Sequence, residues 1–211
     1  MDIITNRYDF PTLDEYLDHF NIRPIEGHCQ QVGRQVDILK HYAKQPGITN
    51  IMEIGFNCGH SAEVFLKAKP ENQLHSFSII RNNLRYGKRY LDYNYPDRLN
   101  IVIGESEWSI PNFIKKNPNK KFDLIFIDGA HWEPVPKVDL ENCRKMAHEN
   151  TIVLFDDTCY SEQLRKYWNE YPTKVWTEAL EKNEIVELGK EDFDKGRGMS
   201  WGKYVFDKEV M

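Results

Sequence analysis

Short apolar runs and amphipathic stretches alternate along most of the chain, and the alternation predicts a series of βα units. Asn50-Ile51-Met52-Glu53-Ile54 reads as a strand, with a helix beginning near Ala62-Glu63-Val64-Phe65-Leu66. Further strands are predicted at 74–80, 99–103, 122–127 and 151–155, separated by helices at 85–95, 109–116 and 135–147. The run Leu124-Ile125-Phe126-Ile127 is continuously apolar, as a parallel strand buried on both faces has to be. Two helices, 11–20 and 28–44, precede the first strand, the second with Val32, Val36, Leu39 and Ala43 on one side. Helices at 162–171 and 173–180 lead to last strands at 184–188 and 201–206, and the Gly196-Arg197-Gly198 turn suits an antiparallel pair. Five βα alternations closed by such a pair predict an open, doubly wound α/β sheet. Residues 1–45 would then form a helical cap or lid on a domain spanning 46–211.

In such sheets ligands bind beyond the carboxyl ends of the strands. The first strand runs there into Gly55-Phe56-Asn57-Cys58-Gly59-His60-Ser61. Glycine lets a ligand approach the main chain, and the helix that follows turns unpaired N–H groups toward it. Glu53, just before the first glycine, would repel a pyrophosphate but attract an ammonium or sulfonium group. The spacing also lacks the third glycine of the dinucleotide fingerprint. The turn therefore reads as one for a cationic, amino-acid-bearing cofactor, against the alternatives of a packing turn with no ligand and of a nicotinamide site.

A second constellation lies on later strands. The fourth predicted strand ends in Asp128-Gly129-Ala130-His131 and the fifth in Asp156-Asp157-Thr158. If those strands are neighbours, three carboxylates meet at the rim that carries the glycine turn and repel one another unless they share a cation. Oxygen donors without cysteine favour a hard ion such as Mg²⁺ over zinc. His131 would stand over the same spot and could take a proton from a substrate hydroxyl, whose acidity a bound metal would raise. Taken singly, Asp157 also reads as a helix N-cap and Asp128-Gly129 as a turn.

Composition narrows the setting. A chain of 211 residues with a net charge of −5 fits one α/β domain and gives no basic surface for nucleic acid or an anionic membrane. No apolar run approaches the roughly 20 residues that cross a bilayer. The opening Met1-Asp2-Ile3-Ile4-Thr5 lacks the basic and apolar regions of a secretory signal. Cys29, Cys58, Cys143 and Cys159 are scattered, without a Cys-x-x-Cys pair, so neither structural zinc nor a disulfide framework is expected and the compartment is predicted to be the reducing cytoplasm.

Together the segments beginning at Glu53, Phe122 and Val153 resemble class I S-adenosylmethionine-dependent methyltransferases, and more narrowly the "methyltransferase 24" type, which is similar to metal-dependent sugar O-methyltransferases. The resemblance covers roughly residue 30 to the end and preserves motif order. It implies a Rossmann-like, mostly parallel seven-stranded sheet with an antiparallel last strand, and S-adenosyl-L-methionine as cofactor. Glu53, Gly55 and Gly59, with Asn57 and Ser61 in the same segment, would hold the methionine end, Asp128 would contribute from the fourth strand, and Glu105 and Ser106 would contact the adenine. Asp128, Asp156 and Asp157 would hold Mg²⁺ or another hard divalent cation, and Asp128 with His131 would carry catalysis, His131 as general base. The expected partner is a small hydroxylated acceptor, a sugar among the candidates. The N-terminal helices are compatible with a homodimer.

One position departs from the pattern. Where the family usually carries an acid on both ribose hydroxyls, the chain has Ser78, and no acid follows until Asp92. Losing a charge-assisted pair costs on the order of 1–3 kcal/mol of cofactor affinity. Ser78 thus supports the alternative of a degenerate methyltransferase fold that only binds a ligand or partner, while the acid set argues against it. Tyr8, Phe10, Tyr16, Phe20 and Trp132 are candidates to close over an acceptor or to pack helices; Trp108 and Tyr160 are candidates for adenine or acceptor contacts, and His28, Cys29 and Gln30 for cofactor contacts.

Overall fold

A computed structural model describes residues 10–23 and 27–206. Among them β1 (Asn50–Ile54), β2 (Gln73–Ser78), β3 (Leu99–Ile103), β4 (Phe122–Ile127), β5 (Ala147–Asp156), β6 (Ile185–Asp192) and β7 (Gly198–Tyr204) form one sheet. Their order is β3-β2-β1-β4-β5-β7-β6. The first five strands pair in parallel, and β7 runs antiparallel to both β5 and β6. The winding proceeds outward in opposite directions from the β1/β4 pair, which places the switch point between the glycine turn and Asp128.

Helices α1 (Leu13–His19), α2 (Gly33–Ala43), α3 (His60–Ala68) and α4 (Leu84–Asn94) cover one face, and α5 (Ser106–Lys116), α6 (Val135–Lys145) and α7 (Tyr167–Glu181) the other. Alternation along the central strands feeds both cores. Ile51, Leu124, Phe126 and Leu154 point to the first, and Met52, Ile54, Ile125 and Phe155 to the second. Each such side chain is buried, contributing roughly 1.5–3 kcal/mol. Leu13, Tyr16, Leu17, Ile38 and Leu39 join the first core, so the N-terminal helices are built into the domain. No helix among the described residues is long and apolar enough to cross a membrane. The four cysteines are buried and form no disulfide.

Several expected elements end elsewhere. The helix expected at 28–44 is broken: a 3-10 turn, Cys29–Gln31, is followed by Val32 in extended conformation (φ −125°, ψ 97°) and only then by α2. β-branched Val32 and the adjacent Gly33 are both poor helix formers, and contacts of His28, Gln30 and Gln35 with other elements hold the bend. Helices expected on either side of Pro172 are a single α7. Proline so near the start removes one helix hydrogen bond, while Val175, Trp176 and Ala179 bury against the sheet and carry the helix through. The second strand stops at Ser78 rather than continuing to Ile80. Pro136 is accommodated in the first turn of α6, as expected.

Candidate functional site at the carboxyl rim

Three residues of the turn after β1 have positive φ: Gly55 (100°), Asn57 (47°) and Gly59 (91°). At Gly55 a Cβ would lie 1.8 Å from the carbonyl oxygen of Asp128, so glycine is required because the end of β4 runs against the turn. Gly59 is the left-handed N-cap of α3 and offers no side chain to that helix's first N–H groups. They face the turn, where an anionic ligand group would be favoured.

Glu53 faces inward. It is fully buried and accepts hydrogen bonds from Ser61 Oγ (2.5 Å) and Ser76 Oγ (2.6 Å). Burial lifts its pKa to about 7, the two serines pulling the other way. Ser61 is thus turned toward Glu53, and Asn57 Oδ1 accepts from Asn83 Nδ2 at 2.6 Å. Glu53 therefore bears on a ligand in the turn through its field and through Ser61 rather than as an open carboxylate.

The acids after β4 and β5 meet beside this turn because the two strands are neighbours. Ligand atoms of Asp128, His131 and Asp157 lie within 4.8 Å of one another, with His131 Nε2 2.7 Å from Asp157 Oδ2. Asp157 holds a left-handed backbone (φ 56°), a strained state for a residue with a side chain. Asp156 lies outside the cluster: its Oδ2 accepts from Gln35 Nε2 (2.6 Å), while Oδ1 is buried without a partner. Gln35 Oε1 in turn accepts from Arg197 Nη2 (3.1 Å), and Arg197 Nη1 donates to the His28 carbonyl (3.1 Å).

Electrostatics follow from this crowding. Burial first, then Asp156 and Asp157, push the Asp128 carboxyl well above the usual range, and Arg197 pulls it back. Asp156 is raised to about 7 by burial and then by Asp157. Asp128, Asp156 and Asp157 crowd together with Arg197 as the opposing charge, so a bound cation would restore the ionised forms. Oxygen donors, a buried carboxylate oxygen with no partner and raised pKa values together fit a hard divalent ion.

At the other end of the rim the surroundings are apolar. Sheet register puts Ser78 beside Ile103. Ser78 Oγ donates to the Ile79 carbonyl (3.2 Å). Glu105 is the N-cap residue of α5 and Ser106 its first residue. Ile80 (76%) and Trp108 (71%) are strongly exposed, with Ile79 and Ile103 also open. Such apolar exposure at a strand rim suits a flat ring. Trp132 is exposed as well, whereas Tyr160 is bonded to Ser200 Oγ (3.0 Å). Phe10, Tyr16 and Phe20 pack with one another and with Tyr86 and Tyr90; Tyr8 lies outside the described residues.

Three residues that sequence reasoning missed belong to this region. Gln35 and Arg197 connect the N-terminal segment to Asp156, and their only signal was a basic residue between two glycines. Asp139 of α6 is fully buried; its Oδ2 would lie 3.0 Å from a Cβ at Gly129, and burial raises its pKa to about 7. Of the expected cofactor contacts near the start of α2, Gln30 donates to Glu63 Oε2 (3.0 Å), His28 stacks on His60, and Cys29 is buried, its thiol pushed up by burial and nearby carboxylates.

A family model described as a methyltransferase domain, Methyltransf_24, matches residues 52–158, half of the chain. Among curated proteins, the chain is 28% identical to catechol O-methyltransferase of Sus scrofa over 112 residues, 51% of this chain and 59% of that protein. It thus spans little more than half the length of that relative. Among solved structures it is similar to an O-methyltransferase of Bacillus cereus in complex with SAH (TM-score 0.71, 16% identity, 96% of this chain and 94% of that one). It is also similar to a TDP-rhamnose 3'-O-methyltransferase of calicheamicin biosynthesis (TM-score 0.61, 16% identity, 96% and 99% covered).

Proposed function

The chain belongs to the methyltransferase-domain family, with the class I fold, and we propose that it is an S-adenosylmethionine-dependent O-methyltransferase acting, with a divalent metal, on a small hydroxylated acceptor. The observation that carries the reading is the contact between the two halves of the rim. Gly55 abuts the Asp128 carbonyl, so the cofactor turn lies directly beside the strand end that carries the Asp128–His131–Asp157 cluster. Support comes from the names of the relatives, catechol and sugar O-methyltransferases among them.

In this reading Glu53, Gly55, Asn57, Gly59 and Ser61 receive the amino-acid end of the cofactor, Ser78 faces its ribose, and Ile79, Ile80, Trp108, Glu105 and Ser106 surround its adenine. When bound, the cofactor would supply an electrophilic methyl group carried on a sulfonium, with a neutral thioether as leaving group. Asp128 and Asp157, backed by Asp156, would hold the cation, which would lower the pKa of the acceptor hydroxyl. His131, oriented by its Nε2 contact with Asp157 (2.7 Å), is the base that takes the hydroxyl proton. Because transfer is an in-line displacement, the remaining task is positioning, which falls to the turn and to the exposed Trp132 segment.

The degenerate-binder alternative rests on Ser78 alone, and a chain drifting from catalysis would have no reason to keep Asp128, His131 and Asp157 together. Calorimetric titration with S-adenosylmethionine and S-adenosylhomocysteine, with and without Mg²⁺, tests the proposal. Absence of binding by either ligand at millimolar concentration would refute it. Cofactor binding without any Mg²⁺ binding would remove the metal roles and leave the rest.

A further inference from the structure

A second group of ligating side chains gathers where the N-terminal helices meet the start of α3. Asp14 of α1, His28 just before the 3-10 turn and His60, the first residue of α3, offer ligand atoms all within 4.8 Å of one another. His60 Nε2 is 2.8 Å from Asp14 Oδ1. The His28 and His60 rings are stacked, 3.7 Å between centroids and 18° apart in plane. The Nδ1 atoms of both rings are buried without a hydrogen-bond partner, although His60 is only 2% exposed. Two orphaned imidazole nitrogens side by side are rare in a protein interior, where buried polar atoms are nearly always satisfied.

We propose that Asp14, His28 and His60 form a binding site for a borderline divalent transition ion of the Zn²⁺ class, distinct from the hard-cation cluster of Asp128, His131 and Asp157. Two imidazoles and one carboxylate are a nitrogen-rich donor set that suits zinc and its neighbours rather than Mg²⁺. Beside the group lies a surface cavity of ≈ 350 Å³ lined in part by Asp14, Asp18, His28 and Gln31, open for entry and for a water as fourth ligand. The stacked rings have to splay for both to reach one ion. The three ligands come from three segments, two in the N-terminal region and one directly after Gly59. A bound ion would therefore clamp α1 and the start of the α2 segment to the glycine turn.

Equilibrium dialysis of the full chain against micromolar Zn²⁺, read by metal analysis, tests the site in an Asp157→Asn background that disables the other cluster. One equivalent of zinc is expected there, with slower amide exchange in α1. Loss of that equivalent is expected on adding His28→Gln or Asp14→Asn, changes at half-buried and exposed positions that spare the buried His60. No zinc in the Asp157→Asn protein, or an equivalent unaffected by both additions, overturns the proposal.

Discussion

The glycine turn after β1 and the acid rim after β4 and β5 sit side by side but are built in opposite ways. The turn is local: Gly55, Asn57 and Gly59 shape it within five residues, and its carboxylate Glu53 is closed by Ser61 and Ser76. The acid rim is assembled from afar. Asp156 is held by Gln35, which lies 121 residues earlier, and Gln35 is held by Arg197 from the β6–β7 turn. Backbone shape governs the first region and unbalanced charge the second. Substitutions should therefore damage them differently, through conformation in one and through protonation or metal binding in the other.

The largest effect is expected at the turn. Gly55→Ala combines positive φ with a clash against the Asp128 carbonyl, and should lose cofactor binding along with at least ~1–3 kcal/mol of stability in denaturant unfolding. Gly33→Ala, with ordinary φ and no atom within 4 Å of the added methyl, should leave stability unchanged or slightly higher. Equal behaviour of the two variants would mean that backbone shape does not govern the turn.

On the other side, His131→Ala should lower turnover by about 10²- to 10⁴-fold while S-adenosylmethionine affinity stays near that of the parent. Steady-state assay beside calorimetry separates the two quantities, and unimpaired turnover would remove the base. Next in size, Ser78→Asp should restore a two-point acceptor for ribose and tighten cofactor binding by about 5- to 150-fold, equivalent to ~1–3 kcal/mol. Weaker binding in that variant would mean that the ribose end lies elsewhere.

The smallest expected effect is in pH dependence. Glu53 and Asp156 titrate near 7 in the folded chain, raised from 4.5 and 3.8. Between those limits the unfolded chain has released protons that the folded chain still holds, so stability falls as pH rises through the window. Melting temperatures of the metal-free protein should drop from pH 5 to pH 8, and Mg²⁺ should flatten the decline by favouring the ionised acids. A metal-independent profile would separate the acids from any cation.

How much was legible follows the same division. The apolar run of β4 and the glycines of the turn speak through period and backbone sterics, so strand positions and the sheet were readable. Val32 and Pro172 misled because tertiary contacts overrode local preference: His28, Gln30 and Gln35 hold a bend where amphipathicity continued, and Trp176 buries a helix past its proline.

By itself the sequence determined the run of βα units, the place of the turn and the acids available at the strand ends, since these depend on residues close together in the chain. Only the tertiary structure decided which acids share a space. It set Asp128 and Asp157 against His131, withdrew Asp156 to Gln35, and brought Arg197 and the Asp14–His28–His60 group together across the fold. Charge interactions act through space, and no spacing along the chain encodes those distances.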